Sequence, residues 1–96
     1  MTRDHALAKL RAAEPRLREL GVRTLVLFGS TARGDAGPES DVDLAVEFDA
    51  AATLDGFLAV KDFVEALLAR KVDLVTIPSL RPRLRAVVER EGLRVA

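Results

Sequence analysis

Ninety-six residues leave room for one modest core, since a domain of this size buries roughly 60 to 70% of the surface its unfolded chain exposes. Hydrophobic residues make up 49% and charged residues 31%, with Gly and Pro scarce, which excludes a disordered or fibrous chain. The lack of cysteine excludes a disulfide framework and a thiolate metal site, and 15 basic residues balanced by 15 acidic ones do not point to nucleic acid.

With neither a basic leader followed by an apolar run nor a membrane-length apolar stretch, the chain is expected to be soluble, cytoplasmic and free of the membrane. Residues 1–96 are read as a single domain.

Residues 4–20 place Leu7, Leu10, Leu17 and Leu20 at near-heptad offsets, the stripe of an amphipathic helix that Pro15 kinks or divides. Gly21 stands where a helix C-terminal cap is expected, and Val22 to Phe28 reads as a buried strand ending at Gly29. Ser30 to Arg33 has room for one helical turn, and Gly34 to Ser40 carries loop chemistry. Asp41 to Phe48 alternates, with Val42, Leu44, Val46 and Phe48 on one side and Asp41, Asp43, Ala45 and Glu47 on the other, a half-buried strand.

Thr53 is placed to cap a helix from about Leu54 to Ala69, whose core stripe is Phe57, Val60, Val64, Leu67 and Leu68. Val72 to Ile77 is a third strand, stopped by Pro78. The spacing predicts a last helix over Leu80 to Glu91, with Leu84, Val87 and Val88 inward, its arginines outward and Gly92 as its stop. This order of elements predicts an α/β (α+β) fold, a small sheet covered by helices.

Charge is unevenly spread. Between Gly34 and Leu54 there is no Lys or Arg, yet Asp35, Glu39, Asp41, Asp43, Glu47 and Asp49 fall there; from Ile77 onward five arginines face only Glu89 and Glu91. A cation held centrally beside an anionic ligand or partner fits this pattern, as do charged surface loops. The basic stripe Arg81, Arg85 and Arg94 reads first as a solvated face and second as a contact for an acidic partner or nucleotide. His5, the sole histidine, lies on the first helix and has no role in this reading.

Asp41 and Asp43, two apart on a strand, send their carboxylates from one face with Cα atoms about 6 to 7 Å apart. If the third strand pairs alongside, Asp73 joins them across a spacing of about 4.8 Å. Three such carboxylates repel one another unless cations neutralise them, and hard oxygen ligands suit Mg²⁺, which also binds phosphates. A pair of these ions about 3.5 to 4 Å apart stabilises the attacking and leaving oxygens of a phosphoryl or nucleotidyl transfer. The ordinary reading of an isolated Asp-x-Asp is a solvated edge; Asp73, set among Val72, Leu74 and Val75, argues against it.

Gly29 and Ser30 end the first strand and open a turn where backbone and hydroxyl can approach a triphosphate, although Gly-Ser alone ends many strands. Arg33 is suited to a bidentate phosphate contact or to a surface salt bridge. Ser40 either caps its loop or touches phosphate, the cap being favoured.

Gly29-Ser30, ten further residues and Asp41-Val42-Asp43, within "LFGSTARGDAGPESDVDLAVEF", resemble the minimal nucleotidyltransferase (MNT) branch of the DNA polymerase beta-like nucleotidyltransferase superfamily. "VDLVT" around Asp73 is similar to the third-carboxylate strand, and "LRPRLRAVVEREGLRV" to the closing helix. The resemblance implies a mixed, palm-like sheet with the site at one edge. It implies that Asp41, Asp43 and Asp73 are catalytic acids and ligands for two Mg²⁺ ions, with Asp73 as activator of the attacking hydroxyl. Gly29 and Ser30, with Arg33 and Ser40 as further candidates, would contact ATP as the nucleotide donor.

It further implies an antitoxin that transfers AMP to a tyrosine of a HEPN-family ribonuclease toxin, in a hetero-oligomer with that toxin and without direct nucleic-acid contact. The chain has no tyrosine, so the acceptor is expected on a partner. The alternatives are a non-catalytic module that neutralises its partner by occlusion and a nucleotidyltransferase for small molecules, which needs an added substrate-binding domain.

Overall fold

In the computed structural model, which describes residues 1–96, Pro15 divides the N-terminal helical stretch into α1 (Arg3–Ala12) and α2 (Glu14–Glu19). Proline is tolerated there because it occupies the first turn of α2, where its missing N–H would have had no intrahelical partner. Thr2 caps α1 by accepting from the His5 amide at 3.2 Å. Gly21 adopts φ 88° after α2 and turns the chain into β1 (Val22–Phe28).

The one-turn helix α3 (Gly29–Arg33) follows, then a loop to β2 (Val42–Phe48), α4 (Leu54–Leu68), β3 (Val72–Thr76), a 3₁₀ turn at Ile77–Ser79, α5 (Pro82–Glu91) and β4 (Leu93–Arg94). The sheet order is β3-β2-β1-β4, with β2 and β3 parallel and the other pairs antiparallel, a mixed four-stranded sheet.

One sheet face carries the main core. Leu25 and Leu27 of β1, Val42, Leu44 and Val46 of β2, and Val72 and Leu74 of β3 pack with Leu7, Leu10 and Leu17 and with Val60, Val64 and Leu68 of α4. Val22 joins the same core three residues before Leu25 because the β1–β2 register slips between Val22 and Thr24, an irregularity that returns both side chains to one face. Thr53 caps α4 as expected, its hydroxyl accepting from the Gly56 amide at 3.0 Å.

Ala69 ends α4 in the left-handed region (φ 53°, ψ 40°) and is the only non-glycine residue with positive φ. An alanine there is strained by roughly 1–2 kcal/mol. The Ala69→Gly variant should gain about 0.5–1 kcal/mol, because strain relief exceeds the entropy that glycine adds to the unfolded chain. Urea unfolding measures this, and an unmoved midpoint would mean there is no strain to relieve.

Four expectations are corrected by tertiary packing. Ala45 lies on the polar side of β2 as the alternation has it, but it is fully buried, because α5 covers that face and makes a second small core of Phe28, Ala45 and Val88. Leu84 does not point inward; it is 40% exposed, and α5 starts at Pro82, with Val88 its one fully buried residue. Gly92 does end the last helix, but in an extended conformation (φ -70°, ψ 150°). A Cβ there would run into the Val88 carbonyl oxygen and Val26 Cγ1, so glycine is needed for close approach, not for a left-handed cap. That approach admits β4, whose Leu93 and Arg94 pair with Leu27 and Val26, and it puts Arg94 on a strand and off the stripe of the last helix.

Candidate functional site

Register decides which carboxylates meet. Asp43 and Asp73 are direct partners in the parallel ladder of β2 and β3, so their side chains leave the same sheet face, the one partly covered by α5. Asp41 falls just outside β2, which starts one residue later than expected, and is exposed; the ladder starts with the Val42 amide donating to the Lys71 carbonyl at 3.0 Å. On the other side Asp43 faces Phe28, the last residue of β1.

Gly29 follows Phe28 with φ 75°, and the place its Cβ would take is filled by Asp43: the carboxylate oxygen would overlap it, with Cγ at 3.0 Å and Cβ at 3.2 Å. The Gly-Ser turn and the Asp-Val-Asp segment, fourteen residues apart along the chain, therefore interlock at a single point.

The electrostatics follow from this crowding. The Asp43 carboxyl is raised above the ordinary aspartate value, first by burial, then by the negative charges of Asp73 and Asp41, with Arg33 opposing. In this geometry Arg33 is shared between two acids, its Nε 3.3 Å from Asp35 and its Nη1 3.8 Å from Glu91 on α5. Ser40 accepts from the Gly37 amide at 3.0 Å, the loop-capping alternative. Ser30 is half-buried in the first turn of α3, whose Thr31 and Ala32 are buried against the sheet.

Of the three carboxylates, Asp41 and Asp73 are exposed and Asp43 is half-buried. Three hollows of about 340 to 460 Å³ indent the surface elsewhere, and none is lined by Asp41, Asp43 or Asp73. With the side chains as they stand, no three acids converge closely enough to enclose an ion. The donor set nonetheless fits Mg²⁺ in kind, being hard oxygens on adjacent backbones whose mutual repulsion a cation relieves. Sequence reasoning missed the Glu91 partner of Arg33. It also missed Glu65 on α4, which accepts from the Val72 amide at 2.9 Å at the start of β3 and lies 3.4 Å from Lys61. The one available signal was the i,i+4 spacing of Lys61 and Glu65.

Residues 10–95 match the family model described as the nucleotidyltransferase domain. The chain belongs to this family. It is 39% identical to the protein adenylyltransferase MntA of Thermococcus cleftensis, over 99% of this chain and 97% of that protein. A solved minimal nucleotidyltransferase superposes with a TM-score of 0.84 at 36% identity, covering 97% of this chain and 95% of the other. The MNT antitoxin of Shewanella oneidensis, solved in complex with its tri-AMPylated HEPN toxin, shares the fold at a TM-score of 0.69 and 20% identity, over 95% of this chain and 71% of that one. Nucleotidyl transfer is the chemistry of this nucleotidyltransferase, and the mixed sheet is that of the minimal branch. No helix is long and apolar enough to cross a membrane.

Proposed function

We propose that this chain transfers AMP from ATP to a tyrosine hydroxyl of a HEPN-family ribonuclease partner, with Mg²⁺ held by Asp41, Asp43 and Asp73. The observation that carries the reading is the Asp43–Asp73 register pair set against the notch at Gly29, because it joins the acidic strand to the Gly-Ser turn to which this reading gives the triphosphate. The likeness to a protein adenylyltransferase over nearly the full length of both chains supports a protein acceptor. So does the exposure of Asp41 and Asp73, which leaves both within reach of a macromolecular surface.

In the reaction the tyrosine oxygen attacks the α-phosphorus of ATP, the bond from that phosphorus to the bridging oxygen breaks, and diphosphate leaves. Asp73, exposed beside Asp43, takes the hydroxyl proton. Gly29 and Ser30 hold the triphosphate through their backbone amides and the Ser30 hydroxyl, while the space left by the missing Cβ of Gly29 admits the Asp43 carboxylate. Arg33 turns from its ion pairs with Asp35 and Glu91 to a phosphate oxygen; both pairs are surface-exposed and worth at most about 1 kcal/mol. Ser40 keeps the loop before Asp41 closed. When bound, Mg²⁺ supplies Lewis-acid stabilisation of the charge on the attacking and leaving oxygens.

The test is incubation of the chain with α-labelled ATP and a HEPN partner, with Mg²⁺, then with EDTA, then with Mg²⁺ restored. Label on the partner, lost with chelation and regained with the metal, is the expected result. No label on a partner whose ribonuclease is still inhibited would replace this reading with the occlusion alternative.

A further inference from the structure

The segment that delivers Asp41 is held by few bonds, and what ties it to the rest of the chain is Arg70. From Ala36 to Asp41, two hydrogen bonds are internal: the Gly37 amide to Ser40 Oγ at 3.0 Å and the Ser40 amide to the Gly37 carbonyl at 3.2 Å. The only one from elsewhere in the chain is donated by Arg70 Nη1 to the Pro38 carbonyl. Neither Glu39 nor Asp41 forms an ion pair.

Packing does not replace these bonds. A hollow of about 450 Å³ lies against the segment, lined by Gly34, Ala36 and Pro38 on one side, by residues of the N-terminus, and by Arg70 itself. Arg70 follows the left-handed turn at Ala69 and comes two residues before β3, so one side chain bridges the approach to β2 and the approach to β3. The backbone bond from Val42 to Lys71 closes the same junction at 3.0 Å.

We propose that Arg70 is a positioning residue that latches the 36–41 segment to the start of β3 and thereby holds Asp41 in place relative to Asp43 and Asp73. Asp41 lies outside the ladder, so its place depends on the loop, whereas Asp43 and Asp73 are fixed by register. Without the latch, binding must order the loop, and that entropy comes out of the metal affinity. Once the metal saturates the site, the same geometry is restored. The consequence for the metal rests on the adenylyl-transfer reading; the consequence for the loop does not.

Two measurements separate them. In metal-free protein without partner, Arg70→Ala should speed amide hydrogen exchange at Ser40 while leaving Leu44 and Val46 of β2 unchanged. In the AMP-transfer assay with a HEPN partner, Arg70→Ala should raise the Mg²⁺ concentration for half-maximal rate by about 10-fold, as loss of a ligand-orienting contact does, at an unchanged saturating rate. Arg70→Lys, which keeps a donor but not the planar fork, should fall between. Unchanged exchange at Ser40 would overturn the latch, as would a lowered saturating rate with the half-maximal concentration unmoved. If the parent chain shows no Mg²⁺-dependent transfer, the functional reading fails and the exchange result still judges the latch.

Discussion

Gly29→Ala is expected to lose at least about 10²-fold in AMP transfer, as removal of one transition-state contact commonly does, and to destabilise the chain by about 2–4 kcal/mol. Two separate causes add. The φ of 75° strains any L residue, and the new methyl group would overlap the Asp43 carboxylate, whose own backbone is paired on both sides, with Phe28 of β1 and Asp73 of β3. Gly34 supplies the control: its φ is 83°, but nothing lies within 4 Å of the place a Cβ would take. Gly34→Ala therefore bears only the strain, about 1–2 kcal/mol, and should keep its activity.

The overlap is isolated by a double-mutant cycle. Adding Asp43→Ala to Gly29→Ala removes the obstructing carboxylate, so the pair should be more stable than the sum of the single variants by about 1 kcal/mol or more. Additive stabilities, measured by urea unfolding, would mean that Gly29 and Asp43 do not meet.

This contact also shows where the sequence stops being legible. The strand at Val22–Phe28, the alternation of Val42–Phe48 and the Thr53 cap can be read locally, because β-branched runs, period-two burial and capping hydroxyls act within a few residues. The paired aspartates can be read for the same reason. That Asp43 fills the notch at Gly29, or that Arg33 reaches Glu91 fifty-eight residues on, depends on which strands and helices become neighbours, and no local pattern encodes that.

The helix α5 illustrates the same limit from the other side. Its apolar residues suggest an inward Leu84, yet the face it covers is small, filled by Phe28 and Ala45, and only Val88 is needed to close it. β4 was missed because two residues make no periodic signal, and its existence rests on the approach of Gly92 to Val26. Asp73 stands between: its strand is legible, its partner is not, and only the parallel register sets it beside Asp43.

Asp43→Asn should abolish transfer and at the same time make the metal-free chain more stable at neutral pH. Burial and the charges of Asp73 and Asp41 raise the Asp43 carboxyl above its ordinary 3.8, so the folded state binds its proton more tightly than the unfolded state does. For a raised carboxyl the sign is fixed. The favourable contribution is present at low pH and is lost as pH rises from the unfolded value through the folded one, and above that window the ionised group opposes folding. Asparagine keeps the shape and removes the charge, so the variant should gain stability over the parent above the window and little below it.

Glu65 runs the other way. The Val72 amide holds its carboxyl below the ordinary range, and its contribution is lost as pH falls through the folded value, in both proteins alike. It therefore cancels from the comparison. Thermal unfolding in EDTA across pH 3 to 8 measures the difference, and a variant no more stable than the parent at pH 7 would refute the crowding. Mg²⁺ should then reverse the ranking: at 100 times its dissociation constant a ligand that binds only the folded state adds about 2.7 kcal/mol, a gain available to the parent and largely denied to Asp43→Asn. On the proposed reading, folding alone disfavours the charged cluster, and the cation expected to serve transfer would also be what stabilises it.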